Sequence, residues 1–386
     1  MATAIGRLTG NVTRQYPLDD LLTVRLPLAL LLILPVFAPT LFPTSRLLSL
    51  AVTAAIYVMV ANGLHIIFSY TGQLSLAQTS LWGLGAYTAA LLTIHFDLPT
   101  AALIPAAGIA GALGAIIIGV PAFRTAGFSF AIITFAFAEI ARLIANNWPS
   151  LTKGSIGLTV LSAPSSLGPI EFDTFTHLSN FYYLTLAFAY LSLVGVLLIH
   201  RSGLGKSFIA IRENEALARS VGINVYLHKL FAFAISGFFA GVAGVFFVYH
   251  QKHIQPGPLS AFSAFFTIQF LLMILIGGRF SMLGPTIGAV VVVFGPEVVN
   301  AVFGDVLDFS RIQMIFGTTL ALSVLTAPNG IAGQTRAGYR AFFASLRRSR
   351  ERRRGFLITA ALALFTALVP AATPPETRSS AGQEHE

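Results

Sequence analysis

Cysteine is absent from all 386 residues. That excludes disulfides, thiolate metal sites and thiol nucleophiles. Charge is scarce as well: Asp, Glu, Lys and Arg make up 10% of the chain, against about a quarter in an ordinary soluble domain. Acidic groups are the scarcer sign, 15 against 24 basic ones, for a formal net charge of +9. A phosphate-cradling G-x-x-x-x-G-K-[ST] loop is missing, so an ATP-driven activity needs another chain to hydrolyse the nucleotide. A G-x-S-x-G nucleophile elbow is missing too. His250 and His253 lie three apart with no carboxylate nearby in sequence, which is short of a zinc site.

Apolar residues are abundant: 55% are hydrophobic and mean hydropathy is +0.78. A soluble globule cannot hide that much apolar surface, so lipid must cover it. These values exclude a disordered chain and a nucleic-acid-binding domain with a basic face. A membrane crossing needs about 20 apolar residues for ~30 Å of hydrocarbon. Such runs fall at 21–42, 47–69, 74–96, 99–120, 127–147, 179–200, 229–250, 259–277, 283–303 and 310–327, with a shorter one at 356–372. Strand-like alternation is not sustained, and backbone in lipid must satisfy its own polar groups, so the runs predict helices. The fold class is therefore an all-α polytopic membrane bundle of about ten spans, with a possible eleventh near the C-terminus.

Basic residues orient the spans. With the N-terminal segment 1–20 in the cytoplasm, 18 of the 24 Lys and Arg fall on the cytoplasmic side and five on the other. That asymmetry follows the positive-inside rule for an inner-membrane protein. Arg142 lies inside a span. From Asn329 onward the chain carries nine Arg and four Glu, so over half of the net charge sits in its tail.

Three ionisable residues lie within spans: Glu139, Arg142 and Glu297. Charge at bilayer depth is costly and marks a functional hypothesis by default. Glu139, Arg142 and Asn146 stand at i, i+3 and i+7 and share one helical face. A zwitterionic solute needs a cation for its carboxylate and an anion for its amine, which this face offers along a substrate path. An internal ion pair locking two helices is the competing reading. Glu297, after Pro296 near a span end, reads as structural or interfacial. Ser75, Gln78, Thr79 and Trp82 form a second polar stripe, with Ser75 and Gln78 as path candidates and helix bridging as the alternative. Small residues recur at helical spacing in Gly237-Gly241-Gly244, Ala107-Gly111-Ala115 and Gly85-Ala89, the pattern of closely approaching helices.

Two hydrophilic connections remain. Residues 148–178 lie outside. Residues 201–228 lie inside, and Phe208 to Val221 can form an amphipathic helix that Gly222 ends. Mixed charge and a hydrophobic stripe favour a docking element over a plain connector.

Several ordered motifs carry a resemblance: Ser69-Tyr70-Thr71-Gly72-Gln73-Leu74-Ser75-Leu76-Ala77-Gln78, Gly83-Leu84-Gly85-Ala86-Tyr87, Gly127-Phe128-Ser129-Phe130-Ala131-Ile132, the Glu139 to Trp148 stretch, and Thr152-Lys153-Gly154-Ser155-Ile156-Gly157-Leu158. Arg212-Glu213-Asn214-Glu215-Ala216 with Gly222-Ile223, and Gly277-Gly278-Arg279 with Gly284-Pro285, complete it. Over residues 45–330 the chain resembles the branched-chain amino-acid ABC transporter permeases, whose motifs urea and short-amide permeases share. The resemblance implies a permease domain at 21–330 paired with a second permease subunit. It also implies cytoplasmic ATPase subunits that bind the ATP, and a periplasmic solute-binding protein. Arg212, Glu213, Glu215, Ala216 and Gly222 then belong to the ATPase-coupling segment, and Gly277, Gly278, Arg279, Gly284 and Pro285 to a structural turn. No cofactor, metal, catalytic residue or nucleic acid is implied. Two departures stand out. Gly222 follows Glu215-Ala216-Leu217 one residue later than the EAA-x-x-x-G spacing, and Phe280 stands where the family's turn has glycine. An ion-gradient-driven secondary transporter is the rival of another class; it would want an ion site in broken helices and inverted repeats. Beyond Gly330 the resemblance ends. Residues 331–386 form a basic run, Arg347 to Arg354, followed by a short apolar stretch, like a secretory signal.

Overall fold

The computed structural model describes residues 34–41, 45–96, 98–125, 127–160, 178–257, 262–303 and 317–318. The chain falls into two units, Met1–Gly333 and Gln334–Glu386, and every described residue belongs to the first. The expected first and tenth spans fall largely outside the described residues. The C-terminal stretch 356–372 falls outside them altogether.

The described chain is helical nearly throughout. Helix α1 is Ser45–His65, and it runs on without a break into a π-helical turn, Ile66–Tyr70. Then come α2 (Gln78–Phe96), α3 (Thr100–Ala122), α4 (Phe128–Asn146) and α5 (Leu178–Arg201). Two short helices follow, α6 (Gly203–Glu213) and α7 (Glu215–Ser220), before the long α8 (Val225–Gln251), α9 (Ala264–Gly277) and α10 (Gly284–Phe303). Among the described residues five helices are long and apolar enough to cross a membrane: α1 with its π turn, α3, α4, α5 and α8. Two-residue strands β1 (Leu158–Thr159) and β2 (His253–Ile254) pair antiparallel, Leu158 opposite Ile254.

Helix starts follow local chemistry. Ser202, Asn214 and Asn224 each accept from a backbone N–H one turn on, at Gly205, Leu217 and Leu227. This satisfies donors that a helix start otherwise leaves bare. The expected single amphipathic helix from Phe208 to Val221 is therefore two helices: Asn214 is extended, and it ends α6 and caps α7. Gly222, at φ +87°, closes α7.

The span expected from residue 74 becomes helical only at Gln78. Residues 71–77 form an irregular, non-helical link through the protein interior, with Thr71, Gln73, Ser75 and Ala77 buried in alternation. Irregular backbone at such depth needs partners inside the protein. The Leu76 N–H donates to Thr134 Oγ1 of α4 at 3.1 Å, and the Gln73 N–H to the Ile67 carbonyl at 3.3 Å.

Helix α8 is the central post. It packs along α3, α2 and α1, while α1 also packs against α5 and α10. Glycine makes the first two approaches possible. A Cβ on Gly241 would strike the Ala107 carbonyl of α3, one on Gly111 the Gly237 carbonyl, and one on Gly85 the Gly241 backbone. A Cβ on Gly244 would lie 2.5 Å from the Ala86 nitrogen. Backbones this close exchange dispersion contacts that larger residues would forbid. Around this seam Trp82, fully buried, packs with Tyr57, Phe247, Phe262 and Phe270, joining α1, α2, α8 and α9.

Replacing Gly241 by Val should cost at least about 3 kcal/mol, the upper range for overpacking, because the obstacle is backbone. Gly203→Ala, with open space around its Cβ position, should be neutral or slightly stabilising. Thermal unfolding of the detergent-purified variants checks both; equal effects would contradict the seam.

Candidate functional site

Two regions carry polar chemistry, at opposite ends of the bundle. The first is the C-terminal half of α4. Only one stripe of this helix is buried, Phe130, Ala131, Thr134 and Ala138, while Phe128, Ile132, Phe135, Ile140 and Leu143 are exposed. Glu139 and Arg142 pair as their spacing predicts. Arg142 Nε donates to both carboxylate oxygens at 2.9 and 3.0 Å, and Nη2 also donates to Oε1. The guanidinium is mostly buried and its Nη1 donates to the Pro256 carbonyl at 2.9 Å. Arg142 therefore ties α4 to the segment after β2. Asn146, half-buried, sits one turn further on.

A cleft of about 290 Å³ opens beside this pair, between α2 and α4. Leu84, Tyr87, Arg142, Trp148, Pro256 and Phe262 line it. Its walls are apolar with a guanidinium among them, a surface suited to a small amphipathic solute. Ser75 and Gln78 do not line it. Both are fully buried. Gln78 Nε2 donates to the Val60 carbonyl at 3.3 Å and its Oε1 accepts from Ser236 at 3.0 Å, so the amide joins α2 to α1 and α8. Ser75 Oγ accepts from the Ala77 N–H. Glu297 bonds Arg46 at 2.9 Å, tying α10 to the start of α1.

The second region is the α6–α7 end. Phe208 and Ile211 of α6 are buried, as is Ala218 of α7. Leu217 and Val221, four apart, are exposed at 59% and 69% and share a face. Around them Glu213, Ala216 and Arg219 are exposed. Glu215 is turned inward. It pairs with Lys229, which is buried at the start of α8, and reaches Arg219 at 3.8 Å. Arg212 pairs with Glu213 at 2.6 Å, and its mostly buried guanidinium donates through Nη1 to the Ser69 carbonyl at 2.8 Å. Nearby, the α9–α10 turn closes tightly. Gly278 has φ +113°, and a Cβ on Gly277 would overlap the Gly284 carbonyl. Pro285 stands in the first turn of α10, where its missing N–H costs nothing. Phe280 is not at positive φ, so that position places no demand for glycine. Arg279 lies over the Phe68 ring at 4.2 Å.

Sequence reasoning missed Tyr87, Pro256 and Phe262 in the cleft, and Lys229 as the partner of Glu215. Only Lys229 carried a signal, a cation entering an apolar run, which requires a counter-ion. Among the described residues no cluster of three or more His, Asp or Glu could hold a metal.

A bundle of apolar spans with an apolar-walled cleft that holds one guanidinium at one end and a built, solvent-facing helix pair at the other fits a multi-pass membrane permease. The family described as branched-chain amino acid transport system / permease component matches residues 46–325. The high-affinity branched-chain amino acid transport system permease protein LivM of Salmonella typhimurium is 30% identical over 343 residues, 83% of this chain and 78% of that protein. LivM of Escherichia coli is 30% identical over 335 residues, 81% of this chain and 76% of that protein. The probable branched-chain amino acid transport permease protein LivH of Methanocaldococcus jannaschii is 24% identical over 287 residues, 72% and 88% respectively. No solved structure matches. The chain belongs to the branched-chain amino acid transport permease family and is a permease subunit of an ABC importer.

Arg142→Met removes the bond to Pro256 and strands the Glu139 carboxylate. It should lower stability by about 1.5–3 kcal/mol, the range for charge-assisted bonds. Glu139→Gln keeps an acceptor for the guanidinium and should cost less. Thermal unfolding of both variants checks the order, and a reversed order would contradict the tie.

Proposed function

We propose that this chain carries branched-chain or closely related amino acids inward across the cytoplasmic membrane, driven by ATP that partner ATPase subunits hydrolyse. A periplasmic binding protein delivers the solute at the α4–β2 end. A second, different permease subunit covers the exposed apolar face of α4, so that solute passes between the two chains. The bundle has about ten spans within 21–330, the N-terminal segment is cytoplasmic, and 331–386 is an appendage to the transport domain.

One observation carries this reading: α6 and α7 are anchored by Phe208, Ile211 and the Glu215–Lys229 pair, yet they present Leu217 and Val221 to solvent. An exposed apolar pair, one residue on a fixed helix and one at its C-cap, is costly in water unless a partner's groove takes it. The α6–α7 end also carries Arg201, Lys206, Arg212 and Arg219, and the positive-inside rule supports a cytoplasmic location for it. There the ATPases reside. In this arrangement Glu215 holds α7 in place, and the apolar pair makes the contact.

At the opposite end, the cleft beside Arg142 offers apolar walls for an aliphatic side chain and a guanidinium for a carboxylate. Binding there is weak, because Glu139 and the Pro256 carbonyl already occupy three of the guanidinium's five N–H donors. A passage needs contacts that release as readily as they form.

The test is double substitution of Leu217→Asp and Val221→Asp. Both side chains are exposed, so the protein should still insert. ATPase subunits should no longer co-purify, and uptake of radiolabelled leucine should fall to background. Retained ATPase binding would refute the docking role. Uptake of urea but not leucine by the intact system would move the substrate to short amides.

A further inference from the structure

The end of α1 is gripped from two sides. Its last turn is π-helical, Ile66–Tyr70, entirely buried. Carbonyls in the last turn of a helix have no intrahelical donor, and at this depth they need partners from elsewhere in the protein. Two of those carbonyls accept from arginines. Ser69 takes Arg212 Nη1 at 2.8 Å, and Phe68 takes Arg279 Nη2 at 3.3 Å. The two arginines arrive from different elements. Arg212 comes from the last turn of α6, and Arg279 from the turn between α9 and α10.

The grip is completed by packing. Arg279 lies over the Phe68 ring at 4.2 Å, and Phe280 sits against both guanidiniums, 5.0 Å from Arg212 and 5.4 Å from Arg279. Gly72 lies beside the π turn at φ +76°, and a Cβ there would stand 3.1 Å from Arg212 Cγ. Beyond it the chain continues as the irregular, largely inward-facing link that leads to Gln78. Helix α1 in turn packs against α5, α8, α9 and α10. The α6–α7 segment, the end of α1 and the α9–α10 hairpin thus meet at one point.

We infer that Arg279 is a positioning residue for energy coupling: with Arg212 and Phe280 it clamps the π turn of α1, so that displacement of α6–α7 is passed to α1 and the α9–α10 hairpin as one unit. The inference rests on α6–α7 being the ATPase-docking segment. A rigid planar fork suits the role, since guanidinium stacks on a ring and donates to a carbonyl at once. Phe280 supplies the second ring face.

The experiment uses the assembled transporter, this chain with its sister permease and ATPase subunits, in proteoliposomes with the solute-binding protein and leucine as probe. Arg279→Gln should leave ATPase co-purification and ATP hydrolysis without binding protein unchanged. Stimulation of hydrolysis by leucine-loaded binding protein, and leucine uptake, should both fall at least about fivefold, the low end of coupling between sites. Arg279→Lys, which keeps the charge but not the fork, should restore only part. Phe280→Ala should shift the same ratio in the same direction by less. Wild-type stimulation and uptake in Arg279→Gln overturn the inference. So does a loss of basal hydrolysis and uptake in proportion to the amount of complex assembled. If Arg279→Gln does not reach the membrane, Phe280→Ala decides, and an unchanged stimulation ratio overturns the inference. The docking reading fails on a different result, retained ATPase subunits in the Leu217→Asp, Val221→Asp variant.

Discussion

The close backbone approach of α8 to α3 and α2 is the constraint on which the rest depends. In lipid the hydrophobic effect does not press helices together, so contact must come from dispersion at short range and from hydrogen bonds. Gly237, Gly241 and Gly244 face Gly111, Ala107, Gly85 and Ala86 across that seam. With the seam closed, the side chains that flank it are forced inward. Trp82 enters an aromatic cluster, and Gln78 reaches carbonyls on two neighbouring helices. Each addition joins elements that the seam has already brought within reach.

What the seam excludes is as informative. Helix α4 stays at the margin, held along one stripe by Thr134 and its neighbours and at its C-terminal end by Arg142. The α6–α7 pair is held by Phe208, Ile211 and the Lys229–Glu215 contact, at the opposite end. A rigid post with two peripheral, differently tethered elements is a geometry in which one end can respond to the other. The link between them is α1, which begins at the β1–β2 end, where His250 of α8 lies within hydrogen-bond reach of Ser49 and Thr53, and ends under the two arginines.

Much of this was legible in the chain. Helical spans followed from apolar length, and the Glu139–Arg142 pair from a spacing of three. The small-residue seam followed from recurrence every fourth position. These are features of one helix, or of a repeated spacing, which periodicity reports directly. The helix break at Asn214 was misread because an asparagine can sit mid-helix or cap one, and local sequence does not choose between them. The late start of α2 depends on Thr134, some sixty residues away, offering its hydroxyl to Leu76. The cleft joins Tyr87, Trp148 and Phe262, from three parts of the chain, and no local pattern marks a meeting of that kind.

Charge among the described residues is engaged in ties. A polar face at bilayer depth invites reading as a solute path. Here Arg46 grips Glu297, Arg142 grips Glu139 and a carbonyl, Lys229 grips Glu215, and Arg212 and Arg279 grip carbonyls of α1. Each of these five cations joins residues distant in sequence or seals an ion pair. Cations spent on such ties hold elements in register, since a bond to a carbonyl in low dielectric is directional and costly to leave unmade. A solute moving past them meets mostly apolar walls and partners already engaged. At each end of the bundle, then, the described charges hold neighbouring elements together.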